Sequence, residues 1–235
     1  MPNPHFHFKQ FTVQQDRCAL KVGTDGVLLG AWTNYAGAKR ILDIGTGTGL
    51  LALIAAQRNG EAMIDAVEID DASAEQAQEN AAASPWADRI RVHRMDARRM
   101  KVSEPYDLII CNPPFYAGDM VSADDRAVAA KHEAALGFKE LKVVVNASMG
   151  AEGRFSVILP TNREPVLRLY ADAVGIRPLR RCVIRYLADR APKRVMLEMW
   201  RGAPVLEQDE VTVEEVQGTY SARYQELLAD LMQKF

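Results

Sequence analysis

Four consecutive residues, Asn112-Pro113-Pro114-Phe115, are of the types that could bind and activate an amine. The Asn112 side-chain oxygen and the Pro113 carbonyl are both acceptors, and Pro113 has no N–H of its own to satisfy. Two acceptors converging on one nitrogen select a group with two N–H donors, an –NH2. The Phe115 ring offers a face on which a planar base or amide stacks. An aromatic exocyclic amine is a weak nucleophile because its lone pair is delocalised into the ring. Hydrogen bonds from both of its N–H groups raise electron density on nitrogen and favour a pyramidal geometry. Two prolines after a strand also simply end it, so the chemical reading depends on what surrounds them.

The second candidate group is Asp43-Ile44-Gly45-Thr46-Gly47-Thr48-Gly49, placed between a strand and a helix. Gly45, Gly47 and Gly49 permit a tight turn with positive φ and bring bare backbone close to a ligand. Glu68 closes the next strand, where a carboxylate can accept both ribose hydroxyls of a nucleoside. A nicotinamide dinucleotide would require G-x-G-x-x-G and a pyrophosphate at the helix N-terminus. Here the third glycine comes one residue early, and Asp43 sets a negative charge beside the loop, which opposes a pyrophosphate and suits a cation. S-adenosylmethionine carries a sulfonium and an ammonium. Asp96, one residue past the third strand, is either a ligand for the adenine amino group or a helix cap. With a sulfonium methyl as electrophile, the leaving group is already excellent, so positioning should dominate the rate and no metal is needed.

The elements that must hold these groups alternate. Arg40–Ile44, Ala62–Ile69, Ile90–Met95, Tyr106–Cys111 and Arg154–Leu159 read as strands. Leu50–Arg58, Asp71–Ala83, Glu133–Met149 and Asn162–Val174 read as helices. Apolar strands alternating with helices predict a parallel sheet covered on both faces. Leu179–Leu187 and Val195–Trp200 are joined without a helix, so one of them runs antiparallel. Near the N-terminus, Phe6, Phe8 and Phe11 and then the Cys18–Val22 stretch predict two short strands. Thr24 and Asp25 read as helix caps ahead of Val27–Trp32. A final helix carries Tyr220, Tyr224, Leu227, Leu228, Leu231 and Phe235 on the face that packs on the body.

In order and spacing these motifs, with Val67-Glu68-Ile69-Asp70, resemble the class I S-adenosylmethionine-dependent methyltransferases. The Asn-Pro-Pro-aromatic members act on adenine N6, guanine N2 or a glutamine amide. The Phe6–Phe11 and Lys21–Trp32 blocks and the Tyr220–Phe235 tail are similar to the bacterial tRNA1(Val) adenine-N6 methyltransferases. That resemblance implies a Rossmann-like α/β fold: a seven-stranded, mostly parallel sheet with a reversed last strand. Residues 1–235 then form one domain, with 1–38 as a short β/helix extension packing on the core. It implies that Gly45, Gly47 and Gly49 line the methionine part of S-adenosylmethionine, with Asp43 beside them, and that Glu68 holds the ribose and Asp96 the adenine. Thr24 and Asp25 approach the amino-acid end of the cofactor. Asn112, Pro113, Pro114 and Phe115 form the catalytic group, Asn112 also counting among the cofactor contacts. The family often has tyrosine then phenylalanine after the prolines, whereas here the order is Phe115-Tyr116.

The implied substrate is the adenosine 3′ of the anticodon in tRNA; guanine N2, a protein glutamine and an inactive RNA-binding role remain as alternatives. Glutamine enzymes of this type usually have a helical N-terminal domain, for which the residues before Arg40 are too few. The net charge of −2 excludes a uniformly basic nucleic-acid binder. RNA contact must then come from local patches. Arg177–Arg194 has seven basic residues and one acid, and Arg89–Lys101 six and one. Residues 118–131 read as a loop beside the site. Cys18, Cys111 and Cys182 show neither zinc nor disulfide spacing and predict buried free thiols in a reducing compartment. No metal, no membrane span, a cytoplasmic location and a monomer complete the expectations.

Overall fold

The structure is a computed structural model that describes residues 3–18, 20–113 and 136–234. A hairpin of β1 (His5–His7) and β2 (Thr12–Gln14) precedes α1 (Thr24–Trp32). The alternation follows as β3 (Arg40–Ile44), α2 (Leu50–Arg58), β4 (Met63–Glu68), α3 (Asp71–Ala82), β5 (Ile90–Arg94) and β6 (Tyr106–Cys111). After the undescribed stretch come α4 (Phe138–Ser148), β7 (Met149–Pro160), α5 (Glu164–Asp172), β8 (Ile176–Leu187) and β9 (Arg194–Arg201). The chain closes with β10 (Glu207–Val216), β11 (Thr219–Tyr220) and α6 (Ala222–Leu228).

The main sheet has nine strands in the order β11-β10-β8-β9-β7-β6-β3-β4-β5, two more than the seven expected. The reversed strand is β9, antiparallel to both β7 and β8 and lodged between them. The additions are β10, parallel to β8, and β11, which turns back along β10. Strand residues alternate between two cores. Ile41, Leu108 and Ile110 join the layer of α1, α2 and α6; Leu42, Ile109 and Cys111 join that of α4 and α5. All are nearly or fully buried, which explains their continuous apolar runs.

Two N-terminal expectations need correction. The second strand of the hairpin is Thr12–Gln14, not the Cys18–Val22 stretch, with Phe6 opposite Val13. Phe8, Phe11 and Val13 then reach the core shared by α1 and α2. Thr24 and Asp25 do not cap α1: Gly23 is the N-cap and makes no side-chain bond, because both residues lie within the first turn. At the other end, α6 is shorter than the apolar spacing suggested, though Tyr224, Leu228 and Leu231 are buried as expected. Phe235 lies outside the described residues.

Candidate active site

Register places the chemical groups on one edge. Ile44 pairs with Val67 on one side and Cys111 on the other, and Glu68 pairs with Arg94. The residues just past these strands, Gly45, Asn112 and Asp96, therefore line the carboxyl ends with Glu68. This is where open α/β sheets bind ligands.

The glycine loop is built for close approach. Gly45, Gly47 and Gly49 have φ of 71°, 56° and 83°, a region costly for residues with a side chain. A Cβ at Gly45 or Gly47 would project into open space, so the room beside the loop is unfilled by protein. At Gly49, by contrast, a Cβ would sit 3.5 Å from Ala77 of α3. Glu68 ties the loop to its own strand. One carboxylate oxygen accepts the Gly47 N–H at 2.9 Å, and the other accepts those of Ile69 and Asp70 at 2.9 and 3.0 Å.

Asp43 is fully buried and accepts the Thr46 hydroxyl at 2.5 Å, while its Oδ1 has no hydrogen-bond partner. Burial, only partly offset by the Thr46 bond, pushes its carboxyl up to about 7. An open cradle of bare backbone, a carboxylate beside it and an unpartnered buried oxygen suit a nucleoside with a cationic end. S-adenosylmethionine fits that description.

The acceptor side is also assembled. Asn112 is half-buried and Pro113 buried. Gly26 of α1 lies so close that a Cβ there would stand 3.5 Å from the Asn112 Nδ2 and 3.1 Å from Leu50. Thus α1 backs the Asn112 side chain, and its glycine makes the room. Pro114 and Phe115, and the loop expected over 118–131, lie outside the described residues.

Two expected ligands are engaged within the protein. The Asp25 carboxylate takes the Arg194 Nε–H at 2.8 Å and the Tyr186 hydroxyl, joining α1 to the β8–β9 hairpin. Asp96 caps the short turn Ala97–Arg99 and holds the Arg98 guanidinium at 2.7–2.9 Å. The Arg98 bonds keep its carboxyl below the usual range. Thr24 is half-buried in the first turn of α1.

The basic segments look different in three dimensions. Arg177, Arg180, Arg181, Arg185, Arg190 and Arg194 pair with Asp172, Glu198, Glu164, Glu210, Asp189 and Asp25 respectively. Five of those six acids come from outside the segment, which is why the sequence showed an excess. Arg89 is spent on the carbonyls of Ala56, Asn59 and Ala62. Among the described residues of the two segments, Arg89, Arg91, Arg99, Lys101 and Lys193 have no carboxylate within ion-pair distance; of these, Arg99 and Lys193 lie in the connections that follow the carboxyl ends of β5 and β8.

Among the described residues no cluster of three or more His, Cys, Asp or Glu could hold a metal, and no helix is long and apolar enough to cross a membrane. All three cysteines are free and buried.

Comparison with known proteins follows the same lines. Residues 21–161 match the model of the methyltransferase small domain. A tRNA1(Val) (adenine(37)-N6)-methyltransferase of Bacteroides thetaiotaomicron is 40% identical over 97% of this chain and 96% of its own. Its namesake from Phocaeicola vulgatus is 42% identical over 95% of each chain. Among solved structures, a predicted O-methyltransferase from Agrobacterium tumefaciens superposes with a TM-score of 0.66 at 18% identity, over 88% of this chain and 96% of its own. The CcbJ methyltransferase from Streptomyces caelestis superposes at 0.59 with 14% identity, over 80% and 96%.

Proposed function

The chain belongs to the methyltransferase small domain family, alongside the tRNA1(Val) (adenine(37)-N6)-methyltransferases, and from that premise we propose that Asn112 and Pro113 present the target amine to the cofactor held by the glycine loop. The reaction is methylation of an adenosine N6 in tRNA by S-adenosylmethionine. The observation that carries the assignment of residues is the shared edge: Gly45 and Asn112 follow, and Glu68 ends, neighbouring strands in register.

When bound, S-adenosylmethionine supplies an electrophilic methyl whose departure leaves a neutral thioether. The protein's part is positioning and electrostatics. The Asn112 oxygen and Pro113 carbonyl accept the two N–H groups of the adenine amine, turning its lone pair away from the ring. Phe115 supplies a stacking face for a base taken out of its strand. Gly45, Gly47 and Gly49 leave room for the methionine end, Glu68 takes the ribose, and Asp43 opposes the positive charge. Asp96 can serve adenine only while sharing its carboxylate with Arg98. Asp25 sets the α1–hairpin junction, with Thr24 beside it at the cofactor's amino-acid end. The test is incubation with labelled S-adenosylmethionine and total tRNA, followed by identification of the modified nucleoside; N6-methyladenosine at the position 3′ of the anticodon is expected. Recovery of label in guanosine or in protein would reject the assignment.

The proposal treats residues 1–235 as one domain, since the N-terminal phenylalanines share its core, and has it act as a monomer. Three buried thiols fit a reducing cytoplasm.

Three expected results follow directly. A cationic ligand favours the ionised form of Asp43, so binding should release a proton and S-adenosylmethionine affinity should rise between pH 6 and 8. Because burial raises this carboxyl from 3.8 to about 7, its contribution to stability declines as pH rises from about 4 to about 7 and is constant above that. Asp43→Asn should flatten both profiles; calorimetry in buffers of different ionisation enthalpy and denaturation against pH check them. Lys193→Ala and Arg99→Ala should each weaken tRNA binding and reduce its salt slope by about one, with cofactor affinity unchanged. Arg181→Ala should instead lower stability, since Arg181 holds the buried Glu164 bidentately at 2.9–3.1 Å.

A further inference from the structure

The N-terminal extension and the glycine loop share one fastening. Asn80 of α3 is 2% exposed, and its amide makes three hydrogen bonds. Its Oδ1 accepts the Gln14 N–H at 2.9 Å; its Nδ2 donates to the Gln14 carbonyl at 2.9 Å and to the Thr48 carbonyl at 2.8 Å. One turn earlier, Gln76 is 1% exposed, accepts the Arg17 N–H at 3.1 Å and donates to Asp16 at 2.6 Å. Between them Ala77 packs against Gly49, where a Cβ would be 3.5 Å away. One face of α3 therefore carries both the back of the cofactor loop and the chain entering from β2. That chain continues through Val22, whose N–H is held by Gln15 at 2.8 Å, into α1, whose Gly26 abuts Asn112.

A buried amide left with an unmade bond costs more than the bond itself contributes. Asn80 is fully satisfied only when the extension and the loop are both in place. We infer that Asn80 is a positioning residue for the cofactor loop, and that through it the Gln14–Arg17 segment and cofactor occupancy are thermodynamically coupled. Order in either favours order in the other, and the coupling is reciprocal. The inference rests on the cofactor assignment above.

Two measurements test it, both on the full chain. In the wild type, saturation with S-adenosylhomocysteine should slow hydrogen exchange at the Gln14 and Arg17 amides by about fivefold or more, on the scale of ordinary coupling energies. In Asn80→Asp the acceptor for the Gln14 N–H is kept, both donors are lost, and a carboxylate faces the Thr48 and Gln14 carbonyls. Its Kd for S-adenosylhomocysteine should rise about tenfold, the KM for tRNA should stay within about twofold, and the exchange response at Gln14 and Arg17 should disappear. Wild-type exchange at Gln14 and Arg17 that ignores the ligand overturns the coupling even if the variant fails to fold. A variant that binds as the wild type does, or that loses cofactor and tRNA equally, overturns the positioning role. Absence of any calorimetric heat between wild type and S-adenosylhomocysteine would overturn the cofactor assignment as well, and so is told apart from loss of coupling alone.

Discussion

Asn112→Ala should lower kcat on tRNA by about 10²-fold, the scale of losing one preorganised transition-state hydrogen bond, with little change in cofactor Kd. The amine must leave conjugation with the purine as it attacks. In the ground state its N–H groups are ordinary donors, and water in the free RNA serves them equally well. As the C–N bond forms, positive charge grows on nitrogen and its protons become more acidic. The Asn112 oxygen and Pro113 carbonyl are then worth more than in the ground state, which is the condition for raising turnover. The fold keeps this oxygen in place: Asn112 follows Cys111, which is locked between β3 and β7, and Gly26 of α1 backs the side chain. Phe115→Ala should act differently, raising KM, since stacking on a displaced base contributes about 1–3 kcal/mol to binding. Steady-state kinetics of both variants with cofactor titrations decide. Near-normal turnover in Asn112→Ala would reduce Asn112-Pro113 to a strand terminator.

The strand ends and the glycine turn that frame the candidate site were legible because their signals are local. Strand β6 carries the buried apolar run Leu108–Cys111 directly before Asn112, and the glycines of the loop occupy three positions of positive φ. Elements whose role depends on distant partners were not. Strand β10 reads Glu-Gln-Asp-Glu-Val-Thr-Val-Glu-Glu-Val, and only Val211 and Val213 enter the core, so acidity hides a strand that extends the sheet. The arginines of β8 looked like an RNA patch because Glu164, Asp172, Glu198 and Glu210 neutralise them only after folding. Asn80 and Gln76 stand in the sequence as ordinary polar residues of a helix rich in alanine. Their four-residue spacing among the buried Ala74, Ala77 and Ala81 was the available clue.

Glu68→Ala should weaken S-adenosylmethionine binding by ~1–3 kcal/mol, roughly 5- to 150-fold, the worth of charge-assisted hydrogen bonds. Two mechanisms contribute. The carboxylate already accepts three backbone N–H groups, so its loss frees the loop as well as any ribose contact. Its Oε1 is saturated by Ile69 and Asp70, but Oε2 holds only Gly47 and keeps a lone pair for a hydroxyl. Glu68→Gln separates the two. The amide retains the shape and one acceptor oxygen, yet must point an NH2 at a backbone N–H on one side or the other. Comparing S-adenosylhomocysteine with its 2′-deoxy analogue in both proteins isolates the ribose contribution as a cycle. If Glu68 grips the ribose, removing the hydroxyl should cost the wild type much more than Glu68→Gln. If the deoxy analogue loses the same affinity in both, Glu68 acts only by bracing the loop. If Glu68→Ala binds the cofactor as tightly as the wild type, the carboxylate serves neither purpose.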